Sequence, residues 1–459
     1  MAGAGKTAAA QSIAQRCSQE HILLSSFFFD RTSGRDTPKD LLSTIAFDLS
    51  KVDVRFAEAI AAAIETERGI ATVRIGRRPF EKLILEPSLS FSIDRRLVIV
   101  IDALDEGFDS RLLEILRDHV PRLPSNFRIF VTSRKDANIA SELLDRPHIR
   151  WDEICLDEDN NRCDLAVYVK HRLLEVATKQ DFDQSWPGTM LMEKLIAKAE
   201  GLFLWAVTVC DYLSTLFDPF QELETLALSQ RHSGSHADLK MDNLYATILG
   251  KCNWNEKAFA DGFALVMGSI IAAKSPLSVA ALQFFIGPKY LIDKILRPLR
   301  SLLTSLDDGK PVRICHESLR DFLTLRCKLS SDHQQYCLSE REHSRRLANM
   351  CLTVLNEDWH QGIPGMGYLS QGEASNLPGI PKIAESVISE QLWYACRFWM
   401  DHIIEVEPSD NKTVVLFWRF IGTCQVINWM EVVAGIGQFQ SMARVQEWIN
   451  VGYYAMSCL

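Results

Sequence analysis

Five residues near the start of the chain, Gly3-Ala4-Gly5-Lys6-Thr7, restrict its folding more than any others. A short glycine-rich run ending in Lys-Thr and opening into a helix is the end of a phosphate-binding loop, G-x-x-x-x-G-K-[ST]. Glycine lets backbone N–H groups approach a phosphate closely, and the free N–H groups and dipole of the following helix favour the anion. The residues after the loop, "KTAAAQSIAQRCSQE", have helical spacing and no proline. The first glycine of the full pattern would fall one position before Met1. The expectation is therefore an N-terminal truncation within the loop, with the strand that feeds it missing.

Downstream, helix and strand alternate through residues 1–157. "HILLSSFFFD" reads as a buried strand ending at the turn-like "RTSGRDTP". "TPKDLLSTIAFDLSK" reads as a helix capped by Thr37. Further helices are expected at "VRFAEAIAAAIE", "RRPFEKLILEP" and "SRLLEILRDHV". Strands are expected at "RRLVIVIDALDE", "FRIFVTSR" and "IRWDEICLD". Such alternation predicts a parallel sheet with helices on both faces, its first strand missing.

After residue 158 the pattern turns helical. The stretch "GLFLWAVTVCDYLSTLF" is broken by Asp211 and reads as a buried helix, too short for a membrane span. Residues 229–240, "SQRHSGSHADLK", read as a linker. Several helices and then the hairpin-like "LLTSLDDGKPVRIC" suggest a winged helix. The expected domains are an α/β nucleotide-binding domain at 1–157, a small helical domain at 158–235, a winged-helix domain at 240–330 and a helical region at 335–459. The last 60 or so residues would begin a repeat or sensor array.

Composition excludes some partners. With 47% hydrophobic and 24% charged residues the chain is of ordinary globular composition. A net charge of −9 offers no general field for nucleic acid or anionic membrane, so neither is expected as a partner. The 12 cysteines form no C-x-x-C pair or zinc-finger cluster, and Cys155 and Cys163 are too loosely spaced for a metal. They are expected to be reduced thiols in a cytoplasmic protein. The opening is a loop rather than a basic and apolar leader.

Three elements carry chemistry. In the loop, Lys6 would neutralise the β- and γ-phosphates and Thr7 would offer its hydroxyl to Mg²⁺, with Gly3, Ala4, Gly5 and Ala8 supplying backbone contacts. In "LVIVIDALDE", about 95 residues later, a hydrophobic strand delivers Asp102 to its end for Mg²⁺; Asp105 or Glu106 would orient or deprotonate the attacking water. In "FVTSR", the polar strand end Thr132-Ser133-Arg134 would reach a γ-phosphate, with Arg134 supplying the charge.

In this order and spacing, "GAGKT", "FFFDRTSGRD", "VIVIDALDE" and "VTSRKD" resemble the NACHT domain of fungal STAND-class NTPases, and so the vegetative-incompatibility proteins and, more distantly, animal NOD-like receptors. The resemblance continues in "KAEGLFLWA", similar to the helical segment near adenine, although Phe203 stands where related switches carry proline. "VRICHESLRDFL" resembles the winged-helix motif in which a histidine meets the β-phosphate of ADP, which implies that role for His316. "YACRFWMDH" resembles a stretch between switch and sensor repeats; its aromatics, with Trp393, Tyr394, Phe398 and Trp399, read as core. The resemblance implies an ATP/ADP-controlled switch with slow hydrolysis or none, self-association in a full-length form, and protein partners through absent or C-terminal regions.

Three rival readings stand beside it. If Met1 is the true start, a strand central to the sheet is lost. About six unmade ladder bonds and the lost apolar burial would then exceed the ~5–15 kcal/mol stability of a domain. The chain would then be a nucleotide-independent interaction module with a remnant loop. A DNA-binding regulator using Lys294, Arg297, Arg300, Arg313 and Arg320 is disfavoured by the acidic charge. A small-molecule kinase is disfavoured because the helical region is too long for a lid.

Overall fold

The computed structural model describes residues 5–30, 38–67, 70, 75–134, 136–153, 159–183, 185–228, 237–306, 310–357, 363–368, 380–408, 410–437 and 442–457. The chain divides into two compact units, Met1–Leu244 and Tyr245–Leu459.

The first unit is built on a parallel sheet. Strands β1 (Leu23–Phe28), β2 (Leu97–Asp102) and β3 (Phe127–Val131) lie in that order, with Phe28 opposite Asp102 and Ile101 opposite Val131. All six residues of β2 are buried, as its continuous apolar run requires when a strand has neighbours on both edges and both faces. The β1–β2 ladder shifts register between Leu23 and Ser25, and the β2–β3 ladder runs in register from Leu97 to Ile101. β1 is buried at Leu24 and Ser25 and half-buried beyond. Residues 149–153 of the expected strand "IRWDEICLD" are not in a strand, and 154–157 lie outside the described residues.

Helix α1 (Lys6–Gln19) covers one face of the sheet, setting Ala10 and Ala14 against Val98 and Val100. The other face is covered by a larger core. Helices α2 (Leu41–Ser50) and α3 (Val54–Thr66) contribute Leu41, Ile45, Leu49, Phe56 and Ile60 to it. Asp53 caps α3 by accepting the Arg55 N–H at 2.9 Å. The expected cap Thr37 lies outside the described residues; Pro38–Asp40 form a 3-10 turn ahead of α2. Two of the expected helices carry π turns, at Glu81–Leu85 and Ile115–His119. Farther along, helix Phe203–Thr215 buries Trp205, Val209, Cys210 and Leu213. The Asp211 carboxylate that interrupts its apolar run is ion-paired with Arg172 of helix Asp159–Lys179.

The second unit is mostly helical. Strands β4 (Leu303–Thr304) and β5 (Arg313–Ile314) form an antiparallel pair, so the hairpin is present but each strand is two residues long. Helix α4 (Glu317–Thr324) follows. Helices α5 (Glu340–Leu355) and α6 (Glu390–Ile403) pack against each other. Tyr394 and Trp399 of α6 are fully buried, as core aromatics should be. Between them and α5 runs a polar chain: Ser344 Oγ lies 2.8 Å from His402 Nδ1, and Tyr394 Oη lies 2.7 Å from His402 Nε2.

One expectation is overturned here. Cys327 and Cys337 are joined as a disulfide with Cα atoms 5.6 Å apart, so the cysteines are not all reduced. The pairing follows from the chain turning back through Ser331–Tyr336 and bringing the two sulfurs together. No described helix is long and apolar enough to cross a membrane.

Candidate functional site

Parallel strands end on one edge of a sheet, and the loops leaving that edge form the usual binding crevice of α/β folds. Here the edge carries Asp102 at the end of β2 and the Thr132-Ser133-Arg134 segment just beyond β3. α1 starts beside it. Gly5 has φ +79°, a left-handed conformation that an L side chain rarely adopts, and its carbonyl accepts the Ala9 N–H at 2.9 Å. The turn into the helix therefore depends on that glycine. Thr7 and Ala8 are exposed on the first turn. Gly3 and Ala4 lie outside the described residues.

Lys6 meets the charged end of the sheet. Burial pushes its ammonium below the ordinary lysine pKa; Asp105, Asp102 and Glu106 pull it back up, while Arg134 lowers it further. The loop lysine thus lies within electrostatic reach of the acidic residues after β2 and the arginine after β3.

Asp102 is 2% exposed. A carboxylate so far from water needs hydrogen bonds, and the Thr132 hydroxyl donates one to Oδ1. The same hydroxyl accepts the Ala103 N–H at 3.0 Å, and the Thr132 carbonyl accepts the Leu104 N–H at 2.9 Å. Ala103 is held at φ +55°, so the chain leaves β2 through a strained left-handed residue. That turn directs Asp105 and Glu106 toward β3. Asp105 Oδ1 accepts the Arg134 N–H at 2.8 Å, and its Oδ2 lies 3.3 Å from Arg134 Nε. Arg134 Nη2 lies 3.6 Å from Glu106 Oε1. Behind the turn, Gly107 lies against the buried Phe29 ring, in space a Cβ would fill.

A Mg²⁺ ion fits this donor set. It prefers hard oxygen ligands and takes only one or two from protein when phosphates and water supply the rest. A buried carboxylate at Asp102 and an exposed hydroxyl at Thr7 match that chemistry. No cluster of three or more His, Cys, Asp or Glu side chains suited to a metal occurs among the described residues.

His316 belongs to the second unit. It sits at the N-cap of α4, where Nδ1 accepts the Ser318 N–H at 3.0 Å and lies 2.9 Å from Ser318 Oγ. Ser318 Oγ is in turn 2.8 Å from Tyr245 Oη. Because Nδ1 accepts, the neutral ring carries its proton on Nε2.

Thr132 holds Asp102 at this edge in a way the sequence does not reveal. It was noted as a polar strand end, but its bond to Asp102 depends on two strands being neighbours. Residues 1–134 match the family model described as Nephrocystin 3, N-terminal, which loosely supports a NACHT-like relationship. No curated protein matches the chain.

Proposed function

We propose that this chain is an ATP/ADP-controlled switch of the NACHT/STAND class, of fungal type, in which the N-terminal α/β domain holds the nucleotide and Mg²⁺. The observation that carries the reading is the convergence of Lys6 with Asp102, Asp105, Glu106 and Arg134 at the carboxyl end of a parallel sheet. Lys6 and the backbone of Gly3 through Ala8 would bind phosphates, and Thr7 with Asp102 would hold Mg²⁺. Asp105 or Glu106 would orient water for slow hydrolysis, and Arg134 would respond to the γ-phosphate. Mg²⁺, when bound, would neutralise phosphate charge.

The hairpin β4–β5 and the helices around it would form a winged helix. His316 would clamp the ADP-bound state. The nucleotide can bias such a switch only through its different affinities for the two states. Self-association in the cytoplasm would be the output of a full-length form.

The test is calorimetric titration of the whole chain with ADP and ATP in the presence of Mg²⁺, alongside Lys6→Ala. Binding that is lost in the variant supports the switch. Equal absence of binding in both chains sinks it and favours the nucleotide-independent interaction module.

A further inference from the structure

Among the described residues, Cys327 and Cys337 are bridged while eight cysteines are free, Cys163 and Cys424 of them exposed. Exposed thiols persist where reductants keep them reduced, and a disulfide in such surroundings is one that opens and closes. The two bridged sulfurs are unequally placed. Cys327 is fully buried, whereas Cys337 is half-buried and open to an approaching thiol.

Both redox states fit the same backbone. Cys327 Sγ lies 3.2 Å from the Leu323 carbonyl oxygen, and Cys337 Sγ lies 3.7 Å from that of His333. A disulfide has no S–H, so neither contact is a hydrogen bond while the bridge is closed. Once the thiols are free, each has an acceptor in place. The turn also has main-chain support of its own. The Ser330 carbonyl accepts the His333 N–H at 3.2 Å, and the Gln334 carbonyl accepts the Cys337 N–H at 3.1 Å.

The bridge sits where its state is felt. The His333 and Tyr336 rings lie against Phe322 of α4, with centroids 5.5 and 6.3 Å away, and Tyr336 also meets Trp254 at 5.0 Å. The two ends of the turn are held on α4 without the bridge. Arg326 Nη2 donates to the Ser318 carbonyl at 2.9 Å, and the Leu338 N–H donates to the Leu323 carbonyl at 2.8 Å. What the cross-link restrains is the span between them.

We propose that Cys327–Cys337 is a reversible redox site, opened through Cys337 by a dithiol reductant, and that its state sets how firmly Ser331–Tyr336 is held on α4. The attacking thiolate forms a bond to Cys337 Sγ; the bond between the two cysteines breaks, and Cys327 leaves as a thiolate that takes up a proton. The second thiol of the reductant then displaces Cys337 from the mixed disulfide, and Cys337 is protonated in turn. The reductant ends as its own disulfide, having given two electrons and two protons to the pair. An excess of its oxidised form runs the same exchange backwards.

The experiment uses the 459-residue chain, equilibrated in mixtures of reduced and oxidised dithiothreitol. Each sample is quenched in acid, unfolded and alkylated, and the label is mapped by peptide mass spectrometry. Cys327 and Cys337 are expected to gain label together as the mixture becomes more reducing and to lose it when the mixture is reversed, with the circular dichroism of the folded chain retained throughout. In the reduced chain, amide exchange at residues 331–337 should quicken at least about tenfold, with that of α5 unchanged. Cys337→Ser should exchange at the reduced rate in every mixture. A pair that gains label only when the chain unfolds is a permanent brace and overturns the proposal, as does a pair that stays reduced in every mixture. Exchange at 331–337 that ignores the bridge, or that follows the mixture equally in Cys337→Ser, overturns the control over the α4 contact.

Discussion

The hydroxyl of Thr132 donates to the buried carboxylate of Asp102, joining the ends of β2 and β3 where their loops leave the sheet. The bond leaves Asp102 desolvated yet satisfied. Thr132→Val keeps the shape and removes the donor. It is expected to lower unfolding free energy by about 1–3 kcal/mol, the usual cost of orphaning a buried polar group. Thr132→Ser, which keeps the hydroxyl, should recover most of it. Urea unfolding of the three chains checks this, and identical midpoints would show that the bond contributes nothing.

Lys6 gives a second expectation, with opposite effects on binding and stability. Burial is the largest influence on its ammonium and disfavours the charged form, so the folded chain carries a cost at neutral pH. Lys6→Met retains the stem and removes the charge. We expect an unchanged or higher melting temperature together with at least a tenfold loss of Mg²⁺-nucleotide affinity, about 1.4 kcal/mol. Thermal melts and titrations on the same preparation separate the two effects.

For His316, two roles can be pulled apart. As the N-cap of α4 it accepts the Ser318 N–H, and removing a cap costs about 1 kcal/mol. His316→Ala should show that loss. His316→Asn should restore the cap but not the imidazole ring. If the ring also clamps ADP, His316→Asn will release ADP faster than wild type while melting at nearly the same temperature. Stopped-flow displacement of a fluorescent ADP measures the rate.

Acid sensitivity should come from the second unit. His402 is fully buried between Ser344 and Tyr394; burial, and secondly Lys274, hold it well below its ordinary value of 6.5. His343 is lowered in the same direction, mainly by burial. Both imidazoles take up protons more readily in the unfolded chain. Their contribution is therefore complete above the unfolded value and falls as pH drops through it. Each adds at most about 1.4 kcal/mol per pH unit to the slope. Urea midpoints should decline between about pH 7 and about pH 5, and His402→Gln should flatten the curve.

Much of the α/β unit was legible because its signals are local. β2 is a continuous apolar run ending in acid, and α1 follows a glycine-rich turn; neither needs knowledge of distant partners. Asp105, Glu106 and Arg134 were legible as candidates for the same reason, since each sits at the end of a readable strand. What escaped depends on residues far apart in sequence. The Thr132–Asp102 bond spans 30 residues. The Cys327–Cys337 link needs a fold-specific turn, and composition pointed to free thiols. "IRWDEICLD" has strand-like residues, but a strand exists only where a ladder receives it, and 149–153 have none in the described sheet. The π turns at Glu81–Leu85 and Ile115–His119 leave no compositional trace.

The two faces of the sheet are covered very unequally. On one side lies a broad core of leucine, isoleucine and phenylalanine; on the other α1 brings chiefly the methyl groups of Ala10 and Ala14, with Ile13 and Cys17 at the margin. A methyl group contributes only about 0.8 kcal/mol when buried, so this layer opens at far less free energy than the whole unit. The amide protons of α1 should exchange with solvent by lifting of that helix alone, well before those of β2. Any anion gripped at its first turn would add its binding free energy to that opening, and the thin face of the sheet would become slow to exchange in proportion to occupancy. The helix that carries Lys6 is thus also the place where occupancy would be felt as rigidity.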